Sequence, residues 1–102
     1  MIKNLSVKDV LNCTNGELIM GDENAICKKF FIDTREIKED DVFVAIKGKG
    51  ADGNTFLNEA FENGAKVAIV TEVFLSNEEK EKYKDRTVIK VDNSIEALQK
   101  IA

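Results

Sequence analysis

Two uninterrupted apolar runs, Val42-Phe43-Val44-Ala45-Ile46 and Val67-Ala68-Ile69-Val70, most narrowly limit what this chain can fold into. Each is too short for a buried helix and rich in β-branched residues, which marks a strand covered on both faces. Between them Phe56, Leu57, Ala60 and Phe61 recur at helical spacing, and Gly64 can end that helix in the left-handed conformation. Strand, helix and strand make a βαβ unit, whose strands pair in parallel. Val42 to Ile46 is expected to be the central strand.

The flanking sequence supplies further elements. Ser6 and Asp9 have capping-box spacing, Val7, Val10 and Leu11 share a helical face, and Gly16 is expected to stop that helix. Glu17 to Met20 and Ala25 to Ile32 read as strands around the turn residues Gly21-Asp22-Glu23-Asn24, forming a hairpin or a bent sheet edge. Ser76 to Asp85 is dense in charge and reads as a solvated helix anchored by Tyr83, and Thr87 to Val91 is another apolar strand. Asn93 and Glu96 open a last helix with Ile95, Leu98 and Ile101 on one face. The expected fold class is α/β, a small three-layer domain with a mixed or mainly parallel sheet flanked by helices.

Composition narrows function mostly by exclusion. A chain of 102 residues builds one core and not two, so residues 1–102 are expected to be one domain, a fragment or module of something longer. The net charge of −4 argues against nucleic acid or an anionic membrane as partner. No apolar run approaches the roughly 20 residues that span a bilayer, and the opening Met1-Ile2-Lys3-Asn4 resembles no signal peptide. A cytoplasmic protein is expected. With no histidine in the chain and no Cys-x-x-Cys spacing, Cys13 and Cys27 read as buried free thiols, and neither a metal site nor a catalytic residue is indicated. The Gly-x-x-x-x-Gly-Lys-Ser/Thr phosphate loop is absent as well.

Two loops carry the functional signal. Ile32-Asp33-Thr34-Arg35 and Gly48-Lys49-Gly50-Ala51-Asp52-Gly53-Asn54 each begin where an apolar run stops, at the C-terminal end of a strand, where α/β sheets bind ligands. Gly48 and Gly50 allow close backbone approach and positive φ, which would aim amide N–H groups at a phosphate. Asp52 or Asn54 can cap the following helix, whose N-terminus favours an anion. Thr34 offers a small hydroxyl suited to a ribose or a uracil edge. Arg35 either contacts the ligand or pairs with Asp33, Asp41 or Asp52 to fix the loops. Lys47 and Lys49 read as surface lysines, and Phe43 and Phe56 as core.

The run from Asp33 to Gly48, then Asp52-Gly53-Asn54-Thr55-Phe56, then Ala60 to Val70, resembles the N-terminal domain of the Mur ligases in order and spacing. Asn15-Gly16-Glu17-Leu18 and Val91 to Leu98 extend the resemblance over nearly the whole chain. It departs from the family pattern at Asp40, where glycine is common, and at Asn54, which replaces a histidine. Asn15-Gly16, Asn54 and the 76–85 segment look most like the MurF branch, which uses ATP to join D-alanyl-D-alanine to UDP-N-acetylmuramoyl-tripeptide. The MurE branch, which adds the third stem-peptide residue, is the alternative. The resemblance implies that this domain holds the UDP part of a UDP-N-acetylmuramoyl-peptide, through Ile32, Thr34, Arg35, Lys49, Gly50, Ala51, Asp52 and Asn54. It implies no cofactor here, with ATP and magnesium bound by a central domain of the same parent chain. This domain alone would catalyse nothing. A stand-alone sensor of a phosphorylated metabolite would use the same loops, and a protein-interaction module would use Ser76 to Asp85.

Overall fold

The computed structural model describes residues 5–48 and 50–101. Ser6, at the end of β1 (Leu5–Ser6), caps α1 (Val7–Thr14) in the expected reciprocal box with Asp9. The left-handed residue that stops α1 is Asn15, φ 56°, and not Gly16. Gly16 is needed for space, since a Cβ there would stand 2.9 Å from Ile89 Cγ2.

β2 (Glu17–Met20) is followed by β3 (Ile26–Cys27) and β4 (Phe30–Phe31), so the expected single strand from Ala25 to Ile32 is broken in two. The hairpin does not form. β3 pairs with β1 in a two-stranded antiparallel ribbon, while β2 and β4 lie at opposite edges of a five-stranded sheet. Continuing the chain, a 3₁₀ turn (Thr34–Glu36) leads to β5 (Val42–Val44), and a second 3₁₀ turn (Gly53–Phe56) enters α2 (Leu57–Glu62). Then come β6 (Val67–Val70), α3 (Asn77–Lys82), β7 (Thr87–Lys90) and α4 (Ser94–Ile101).

The sheet order is β2-β7-β6-β5-β4, with β2 antiparallel to β7 and all other neighbours parallel. It is therefore mixed, and β6 rather than β5 occupies the middle. The four residues of β6 are fully buried, as a strand covered on both faces requires. Alternation along the strands divides the core. Val42, Val44, Val67, Ile69 and Ile89 face Val7 and Val10 of α1 and Ala97 and Ile101 of α4. Phe43, Ala68, Val70 and Val88 face Leu57, Ala60 and Phe61 of α2, with Tyr83 beside them. Helix, sheet and helix form the three expected layers.

Three side chains depart from expectation. Ile95 is 54% exposed, while Ile101 is buried as expected, Leu98 packs against the same core and Ala97 is buried in addition. Phe56 is half exposed because it ends the 3₁₀ turn before α2 turns inward. Cys13 is exposed on α1, whereas Cys27 is buried.

Candidate functional site at the C-terminal rim of the parallel strands

Parallel pairing of β4 with β5 and of β5 with β6 brings their C-terminal ends to one rim. The loops beginning at Ile32 and Ala45 therefore leave the sheet side by side. Ile32, the first residue past β4, is 57% exposed, a large apolar side chain open to a ligand.

Asp33 organises the first loop. Its Oδ1 accepts from the Arg35 backbone N–H at 2.9 Å, which caps the 3₁₀ turn, and its carboxylate takes the Arg35 guanidinium in a forked pair at 2.7–3.2 Å. The side-chain hydrogen bond from Arg35 holds the Asp33 carboxyl below its ordinary range, and the same contact raises the Arg35 pKa. Of the partners considered for Arg35, the structure selects Asp33. The guanidinium stays outside, 87% exposed. Thr34 turns the other way: it is 8% exposed, its hydroxyl donates to Glu59 of α2 at 2.7 Å, and its carbonyl accepts from Asn63 Nδ2 at 2.8 Å. Thr34 thus fixes the loop to α2.

The second loop is a tight excursion closed by a bridge between Lys47 and Asp52 and by the Gly48 N–H donating to the Ala51 carbonyl at 2.8 Å. A Cβ on Gly48 would meet only the Ala51 carbonyl, at 3.7 Å, and one on Gly50 would meet nothing within 4 Å. Gly48 has no positive φ, in contrast to Gly21 and Gly64. The fold therefore does not require these glycines sterically, and what they leave is free space above the rim. Gly53 differs. A Cβ there would come within 2.7 Å of the Ile46 backbone nitrogen, so the chain can cross itself at that point only through glycine. Gly50 and Ala51 are exposed, and Lys49 lies outside the described residues.

Asp52, not Asn54, caps the turn into α2, accepting from the Asn54 N–H at 3.0 Å. Asn54 is fully buried and its amide is fully used: Nδ2 donates to Asp52 and to Thr71 Oγ1, both at 2.8 Å, while Oδ1 accepts from the backbone N–H groups of Thr71 and Glu72. Asn54 staples the loop after β5 to the loop after β6. Among the described residues no hydrogen bond joins the Ile32–Arg35 loop to the Gly48–Asn54 loop, so they share a rim without being tied together. The sequence reading missed Glu59 and Thr71, whose roles come from contacts 25 and 17 residues away. Nothing in their local pattern marks them.

Among the described residues no three His, Cys, Asp or Glu side chains converge as a metal site would require, and no helix is long and apolar enough to cross a membrane.

The family model described as "Mur ligase family, catalytic domain" matches residues 29–102. The chain is 37% identical over 94 residues to UDP-N-acetylmuramoyl-L-alanyl-D-glutamate--2,6-diaminopimelate ligase of Clostridium tetani, which covers 92% of this chain and 19% of that protein. A crystal structure of MurF from Acinetobacter baumannii has the same fold, with a TM-score of 0.78 at 20% identity over 98% of this chain and 20% of that one. MurF ligase from Thermotoga maritima in complex with ADP gives a TM-score of 0.58 at 33% identity, covering 72% of this chain and 15% of that one. The chain spans about a fifth or less of the length of these relatives.

Proposed function

Because the chain belongs to the Mur ligase family, we propose that it is the domain that holds the UDP part of a UDP-N-acetylmuramoyl-peptide for a peptidoglycan-building ligase. The parent enzyme would be an ATP-dependent ligase, with ATP and magnesium bound by a central domain of the same chain. The proposed branch is MurE, adding a diaminopimelate-type residue to UDP-N-acetylmuramoyl-L-alanyl-D-glutamate. The residue pattern by itself points to MurF. The likeness of 37% over 92% of the chain to a diaminopimelate ligase outweighs 33% over 72% to a MurF, so the alternative replaces the first choice.

One observation carries the nucleotide reading: two neighbouring parallel strands deliver an apolar side chain, Ile32, and a glycine loop with unfilled space at Gly48 and Gly50 to one rim. Glycines that the fold does not need are free to admit a ligand against the backbone. In this reading Ile32 lies against the base, and Lys49, Gly50 and Ala51 line the phosphates. Thr34, Asp52 and Asn54 hold these loops in place, and the exposed Arg35 is a cation at the rim, paired with Asp33.

Replacing the matching segment of the Clostridium tetani ligase with this chain tests the assignment. Retained addition of diaminopimelate to UDP-N-acetylmuramoyl-L-alanyl-D-glutamate is expected. A folded hybrid that loses that activity, while the same graft into a MurF retains D-alanyl-D-alanine addition, would return the chain to the MurF branch.

A further inference from the structure

α2 links the two rim loops, although among the described residues they share no hydrogen bond. The Gly48–Asn54 loop runs into it directly, through the 3₁₀ turn that Asp52 caps. The Ile32–Arg35 loop is held to it from the side. Glu59 and Asn63 stand one turn apart on the same side of the helix, and both reach Thr34. The Thr34 hydroxyl donates to Glu59 Oε2 at 2.7 Å, and its carbonyl accepts from Asn63 Nδ2 at 2.8 Å. Both polar groups of one loop residue are thus gripped by a helix that begins where the other loop ends.

The core does not need this grip. α2 is seated by Leu57, Ala60 and Phe61, while Glu59 is exposed and pairs with no lysine or arginine among the described residues. A threonine beside a turn can satisfy its hydroxyl on nearby backbone. Thr34 instead buries it against a carboxylate 25 residues away, and a hydrogen bond to a charged acceptor is stronger than one between neutral groups. What that contact fixes is where the loop stands. Ile32 and Arg35 lie on either side of Thr34 and are both exposed, so releasing Thr34 would loosen the side chains that the loop presents at the rim.

We propose that Glu59 is a positioning residue: through Thr34 it sets the distance between the Ile32–Arg35 loop and the Gly48–Asn54 loop, and so decides whether one ligand can engage both. This rests on the nucleotide reading. UDP is a two-part ligand, with a base for one loop and a diphosphate for the other. Its halves reinforce each other only when the spacing lets both be held at once. Glu59 acts on the ligand through Thr34 and touches neither half.

The test is an NMR titration of the chain with UDP, with uridine and with inorganic pyrophosphate, following the folded-state signals of wild type, Glu59→Ala, Glu59→Gln and Thr34→Val. Glu59→Ala is expected to weaken UDP about fivefold or more. Uridine and pyrophosphate, each of which meets one loop, should shift variant and wild type alike. Glu59→Gln keeps an acceptor oxygen at the same reach and should restore UDP affinity to within about twofold. Thr34→Val removes the donor from the other side, should match Glu59→Ala, and carries the test if Glu59→Ala does not fold. Combining the two should cost UDP no more than either alone, because they break one contact. UDP affinity unchanged in Glu59→Ala and Thr34→Val, or weakened together with that for uridine and pyrophosphate, overturns the positioning role and leaves the nucleotide reading standing. A wild-type chain that shows no shift at millimolar UDP overturns both.

Discussion

At the scale of single residues, the rim is held together by side chains that were expected to touch ligand. Asn54 is the main instance, because its buried amide satisfies two backbone N–H groups in another loop, and removing it strands those donors away from water. Asn54→Ala should cost about 2–3 kcal/mol, read as a lower urea midpoint; a change within about 0.5 kcal/mol would show that the staple does not bear on stability. The cysteines divide by burial. Desolvation pushes the Cys27 thiol up to about 11 from an ordinary 9.0, while Cys13 is exposed. Ellman titration should therefore find one fast thiol in the native chain and two in denaturant. The folded pKa of Cys27 is the higher one, so its neutral form contributes stability that is fully present below pH 9 and is lost as the pH rises toward about 11. Two fast native thiols would contradict this.

Among the elements, those whose signal lies within a few residues were legible beforehand. The Ser6–Asp9 box, the Ser76 helix and the buried β6 needed only spacing and hydrophobic runs. What escaped depends on partners distant in sequence. The β2–β3 hairpin failed because β2 finds β7 and β3 finds β1, and Ile95 lost its place because Ala97 and Ile101 are the residues that meet α1. Asp40 shows both sides: it stands where the family prefers glycine, and the turn is kept because Asp40 itself adopts φ 70°. α3 gives a test at this scale. No residue within it is buried, and it is fastened at its C-cap by Tyr83, which packs 5.0 Å from the Phe61 ring and donates to Asn58. Tyr83→Ala should cost about 3 kcal/mol or more, whereas Lys80→Ala on the exposed face should stay within about 0.5 kcal/mol. Chemical denaturation of both variants measures the contrast, and equal effects would mean that α3 is not anchored there.

For the molecule as a whole, fold class and the position of the rim followed from the order of strands and helices, while the site's inner wiring did not. Loops that follow parallel strands must emerge on one side of the sheet, so Ile32 and Gly50 could be placed together from sequence. That Thr34 would turn to Glu59, and Asn54 to Thr71, depends on which helix covers which face and which loops meet. The central claim is that this rim holds a uridine diphosphate. A ¹H–¹⁵N NMR titration of the chain with UDP tests it most directly, and the domain alone should bind weakly, at about millimolar concentration, because it offers only part of a full enzyme's contact surface. The account predicts saturable shifts at Ile32, Asp33, Gly50 and Ala51. Shifts that spare these residues, or none up to several millimolar, would contradict it.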